Sequence, residues 1–266
     1  MFKFRVMLAA AVLLASTTIG GHAHEIKALA SNLAVEKPGG KTTIYLSWGH
    51  RLPVDDLIDA DSIERYDLLA PDGKTTALKK ADVSLQTNVV ELKVAGVHQV
   101  LVGRKAGIYT FVFDDEGRRV LKRGLKTGIK EGKIDYASRS VQSAKAIIVV
   151  GSAPKEPIKP AGIPIEIVPL EAPAGWVNNS TLRFQVLLDG KPLPGADLTA
   201  RYIGFKPDNA WCYATTTNRE GVAEVRPTQP GTWILKVNTK RLTTGSVREQ
   251  YDFESFTTTL TLEVRP

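Results

Sequence analysis

The chain has a single cysteine, Cys212, so no intramolecular disulfide can form and the fold must rest on its core. Histidine is scarce as well, with four in 266 residues, at positions 22, 24, 50 and 98. There is no arginine-rich tract and no nucleic-acid motif, so the formal net charge of +7 reads as a solvated surface and not as a DNA or RNA footprint. Paired carboxylates, a Ser-His-Asp order and a nucleophile elbow are missing too, and the chain is read as a non-enzyme. The apolar run at residues 6–15 is too short to span a bilayer, and no transmembrane segment is expected in the mature chain.

What that run does fit is an export signal covering residues 1–23: Lys3 and Arg5 form the charged start, the apolar run follows, and small residues precede the cut. Gly21 and Ala23 occupy the −3 and −1 positions of a cut before His24. Its removal takes away two positive charges and places the mature protein in the periplasm or outside the cell. His24 then carries both a free α-amine and an imidazole, two nitrogens able to chelate one metal ion. A cut after Gly21 instead leaves His22-Ala23-His24 at the terminus, where a histidine in third position builds a square-planar site suited to Cu(II) or Ni(II). Downstream, His50 and His98 are the remaining candidate ligands. His98, set among Val97, Gln99 and Val100, also suits a hydrogen-bonded structural role.

The mature sequence is patterned as β-structure. In residues 41–48, Ile44, Leu46 and Trp48 alternate with Thr43, Tyr45 and Ser47, and Gly49-His50-Arg51-Leu52-Pro53 breaks the strand. The turn at 37–40 lets the N-terminal segment pair with this strand. Asp55, Asp56, Asp59 and Asp61 lack the spacing of a calcium loop and read as a solvated acidic loop. Further strands are predicted over 63–69, 89–94 and 107–113, and residues 144–150 form an apolar run fit for a buried strand. Residues 118–137 show no clean period and are expected to form a loop or short helix closing one edge.

A proline-rich linker at 151–162 divides a first domain, 24–150, from a second, 163–266. The second repeats the pattern at short spacing, with turns at 189–195 and 219–221 and a last strand, 256–264, in which Phe256, Thr258, Leu260, Leu262 and Val264 share one face. The predicted fold is all-β, two β-sandwich domains of immunoglobulin-like or transthyretin-like kind in tandem. Cys212 and the scattered Trp176, Trp211 and Trp233 fit core positions.

His24-Glu25, Trp48-Gly49-His50 with Pro53, Ser143-Ala144-Lys145, the run from Gly162 to Pro169 and the run from Asp189 to Ala196 together carry a resemblance. Thr217-Asn218-Arg219-Glu220-Gly221 and Gly231-Thr232-Trp233 extend it almost to the C-terminus. The chain resembles the exported domain-of-unknown-function family related to the periplasmic component of cobalt and nickel uptake systems. That resemblance implies a divalent transition metal (nickel, cobalt or copper) as ligand and a membrane metal-uptake component as partner, although the membrane-spanning region of such components is absent. The expected function is periplasmic metal binding through His24, His50 and His98. The alternatives are a non-catalytic adhesion or accessory module and a histidine-brace copper enzyme.

Overall fold

The computed structural model describes residues 24–82, 84–206 and 210–266. The expected export signal, His22 included, lies outside the described residues. The first half supplies nine described strands: β1 (Glu25–Ala30), β2 (Ala34–Val35), β3 (Gly40–Gly49), β4 (Ile63–Leu69), β5 (Thr75–Ala77), β6 (Thr87–Leu92), β7 (Gly96–Phe113), β8 (Arg119–Arg123) and β9 (Lys133–Val150). The second half supplies eight: β10 (Ile165–Pro169), β11 (Leu182–Leu188), β12 (Lys191–Pro192), β13 (Asp197–Tyr202), β14 (Tyr213–Thr216), β15 (Val222–Val225), β16 (Gly231–Leu242) and β17 (Phe253–Val264).

These strands form three sheets. A long one runs β14-β13-β16-β17-β9-β7-β4-β5, with β2 and β8 at its sides. A three-stranded sheet, β1-β3-β6, packs on its first-half portion. There Ile26, Ile44 and Leu46 meet Val100, Val102 and Ala146 in one core. A four-stranded sheet of β10, β11, β12 and β15 packs on the second-half portion, where Ile165, Phe184 and Val186 meet Trp233, Leu235 and Leu260 in another. The alternating pattern predicts an all-β fold of two sandwiches, and the chain adopts it.

The two sandwiches share the long sheet. β9 and β17 pair in parallel from Phe253 opposite Ser138 to Thr261 opposite Ala146. Strand β9 is therefore buried on both faces over 141–148. Its even residues Ala144, Ala146 and Ile148 join the first core, and its odd residues Val141 and Ile147 join the second. Strict two-residue periodicity sorts one apolar run between two cores.

Residues 118–137 hold a short helical turn, Lys126–Gly128, as expected, and two strand segments beside it that were not expected. A turn at Asp114 and Gly117 sends β8 back against β7, and β9 begins at Lys133. All of β8 except Lys122 is exposed, so its strand bears no apolar period to read.

Candidate functional site

Strand pairing places the first candidate ligands. β1 runs antiparallel to β3 with Glu25 opposite Gly49 and Ile26 opposite Trp48, so the next step along that register sets His24 opposite His50. Their ring centroids lie 5.0 Å apart with planes crossed at 76°, and His24 also meets the Trp48 ring edge-on at 5.5 Å. The His24 carbonyl accepts a hydrogen bond from Gln142 Nε2 at 2.9 Å, which ties the start of the strand to β9.

His50 is set by a compact loop. Gly49 is buried with φ +112, and a β-carbon there would stand 2.5–2.9 Å from the Asp55 side chain. That space is what lets Asp55 fold back, where its Oδ2 accepts from the backbone N–H of His50 at 2.8 Å and of Arg51 at 3.3 Å. The His50 amide, with lesser help from Arg51 and from His24, holds the Asp55 carboxyl below the usual carboxylate range. The Asp56 amide then returns to the Trp48 carbonyl at 2.9 Å, closing the loop, which includes a cis Leu52-Pro53 bond. Of the acidic run read as solvated, Asp55 thus has a structural task.

Beneath the histidines lies a buried group of charges that sequence reasoning passed over. Glu25 receives Lys27 Nζ at 3.2 Å and Lys236 Nζ at 2.6 Å, so two ammoniums converge on one carboxylate. Burial raises the Glu25 pKa, but the two lysines outweigh it and the net direction is down. Burial pushes Lys27 down to about 8; Glu25 resists this, while Arg201 and Lys236 add to it. Lys27 also donates to the Gly49 carbonyl at 2.6 Å, and Arg201, from β13 of the second half, donates to the His50 carbonyl at 2.9 Å. Both halves of the chain therefore hold the His50 turn. The available signal was the pattern Glu25-Ile26-Lys27-Ala28 in β1, two opposite charges on one face of a strand buried from Glu25 to Leu29.

A cleft of about 430 Å³ opens beside His24 and is lined by Trp48, Arg104 and Gln142 among others. The Arg104 guanidinium lies 4.4 Å from the Trp48 ring centroid and donates to the Tyr109 hydroxyl at 3.4 Å. Strand β7 bulges between Arg104 and Gly107, and Gly107 lets the Tyr109 ring lie where a β-carbon would collide with it at 2.8 Å. Bulges re-aim side chains beside functional sites.

His98 stands apart. It is buried in β7 with Nε2 2.8 Å from the Val94 carbonyl, six residues along the strand from Arg104, or about 20 Å at the usual strand rise. The structure brings His24 and His50 together without it. Among the described residues no group of three or more His, Cys, Asp or Glu side chains is arranged to hold a metal. Cys212 is half-buried against the second core, its thiol pushed up by burial. Trp176 and Trp233 are core residues, whereas Trp211 is half-buried under Arg201 and Lys236, at 4.8 and 4.7 Å from its ring.

A family model described as "Domain of unknown function (DUF4198)" matches residues 21–241. No curated protein matches the chain. A solved structure described as "D0-D1 domain of Intimin" aligns over 91% of this chain and 98% of that one at 11% identity, with a TM-score of 0.21.

Proposed function

The chain belongs to the family of the domain of unknown function DUF4198, and on that premise we propose that it is an exported binding protein for a divalent transition metal. Nickel, cobalt and copper are the candidates, and the role is binding, in metal uptake or handling, and not catalysis. The observation that carries the reading is the pairing of His24 and His50 across two strand ends, with ring centroids 5.0 Å apart. Imidazole nitrogens sit about 2.0–2.1 Å from a zinc ion, so two rings sharing one ion have centroids within about 6 Å of each other. The donor set suits a borderline metal, since imidazole serves copper and nickel as well as zinc. Signal cleavage before His24 adds the α-amine as a third nitrogen from the same residue. At equal availability an all-nitrogen site favours Cu(II) over nickel and cobalt.

An α-amine titrates at about 7.7–8.0, so a metal must displace its proton and affinity falls as pH drops. The test is a calorimetric titration of Cu(II), Ni(II) and Co(II) into protein beginning at His24, beside a form extended by one residue and a His50→Ala variant. Tight binding that weakens sharply in both altered forms supports the reading. Absence of binding in all three overturns it, and an exported interaction module then becomes the better account.

A further inference from the structure

The cleft beside His24 is larger than two imidazoles and an ion require, and its chemistry is of a different kind. Three cations line it: Arg104 from β7, Arg123 from β8 and Lys240 from β16. Elsewhere Arg65, Arg119, Arg139 and Arg241 are each paired with a carboxylate. Among the described residues none of the three cleft cations forms an ion pair, and the single acidic lining residue, Asp56, has one oxygen taken by the Leu57 amide. A row of rings lines the same cleft, with Lys240 Nζ 4.6 Å from the centroid of Phe253. Phe111 lies 4.8 Å from Tyr136, which lies 5.3 Å from Phe253.

Two polar atoms in the wall of the cleft are incomplete. Arg104 Nε, a donor, and Gln142 Oε1, an acceptor, are both buried without a hydrogen-bond partner, and the two residues sit opposite one another on β7 and β9. Gln142 is only 4% exposed. Buried donors and acceptors are rarely left unmet, because each forfeits the water it gave up. One ligand that accepts from Arg104 and donates to Gln142 completes both.

We propose that this cleft binds a small organic hydroxy acid with an aromatic or apolar body. Its carboxylate meets Arg104, with Arg123 and Lys240 adding attraction, its hydroxyl donates to Gln142 Oε1, and its body lies along Phe111, Tyr136 and Phe253. A pocket of this size with an apolar wall and a few convergent polar groups is of the usual small-ligand kind. The proposal goes beyond the metal reading and stands without it. Where a metal is bound at His24, the acid lies beside it and offsets the charge that the neighbouring cations would otherwise oppose.

3-Hydroxybenzoate, whose hydroxyl cannot reach its own carboxylate, is the probe, titrated calorimetrically at low ionic strength into metal-free protein beginning at His24. Benzoate lacks the hydroxyl, and 3-hydroxybenzamide lacks the charge. 3-Hydroxybenzoate is expected to bind at least fivefold more tightly than benzoate and tenfold more tightly than 3-hydroxybenzamide. The Arg123→Gln/Lys240→Gln double variant weakens 3-hydroxybenzoate at least fivefold with thermal unfolding unchanged, and Gln142→Leu abolishes the preference over benzoate. The proposal is overturned if wild-type protein does not bind 3-hydroxybenzoate, if 3-hydroxybenzamide binds equally well, or if the double variant binds 3-hydroxybenzoate as wild type does. A copper titration of the same proteins separates the two claims. 3-Hydroxybenzoate binding with no copper binding supports the cleft and sinks the metal reading, whereas copper binding with no 3-hydroxybenzoate binding does the reverse.

Discussion

Two buried charge groups in this molecule differ in their stoichiometry. At the junction of the halves, Lys145 and Glu166 meet at 2.6 Å, each 1% exposed, and the remaining carboxylate capacity accepts the Ala161 and Gly162 amides of the linker. Beneath the histidines, two lysines share Glu25 while Arg201 stands close enough to depress Lys27. The first group is a closed one-to-one pair that clamps β10 to β9. In the second, among the described residues, two lysines share one carboxylate directly under a turn that carries a candidate ligand. A one-to-one pair fixes a seam, while the shared carboxylate draws a lysine of β1 and a lysine of β16 to one point.

The largest expected effect is at the closed pair. Lys145→Met leaves Glu166 buried without its ion partner and should cost about 3–5 kcal/mol, measured by urea denaturation. A loss below about 1 kcal/mol would erase the distinction between the two groups. Next comes Gly49→Ala, which drives a β-carbon into Asp55 at a residue with positive φ. Strain of this kind costs about 1–3 kcal/mol, and the His50 ring signals should shift in an NMR spectrum while those of His98 stay in place.

Lys27→Met sharpens the contrast. Lys236 still holds Glu25, so the main loss is the hydrogen bond to Gly49, about 1 kcal/mol by the same denaturation assay. Its pH signature is more telling than its size. Burial brings folded Lys27 down to about 8, whereas an unfolded lysine titrates at about 10.4. Between those values the unfolded chain binds the extra proton, so stability rises with pH across the window, and the part due to Lys27 is lost as pH falls through about 8. Burial lowers Lys145 as well and adds a slope of the same sign. The rise should therefore be flatter, not absent, in Lys27→Met. The smallest effect belongs to an exposed pair: Arg118, 72% exposed beside Asp114, should change stability by no more than about 0.5 kcal/mol on mutation to Gln.

Most strands were legible because their burial alternates, as in β3, or because both faces are covered, as in residues 144–150. The β8 hairpin was not, since an exposed ribbon leaves no apolar trace. His24 and His50 could be named from the sequence, but their meeting depends on a register that only the pairing of β1 with β3 fixes. Arg201 and Lys236 were invisible as parts of the site because they come from the other half of the chain. Lys145 lies inside the apolar run 144–150 and Glu166 between Ile165 and Ile167, so neither is marked by its neighbours as a charged partner. Opposite charges embedded in two buried strands were the overlooked sign of a pair.

The parallel seam between β9 and β17 also has a consequence in time. Ser143 and Thr258, hydrogen-bonded across it, are 115 residues apart in the chain. Contacts of such separation form late, because loop closure must precede any gain from them. Until β17 docks, β9 lacks a neighbour along one edge over 138–146 and the second core lacks Leu260 and Leu262. The central sheet therefore stays open along that stretch of β9 until β17 docks, a delay set by the topology alone.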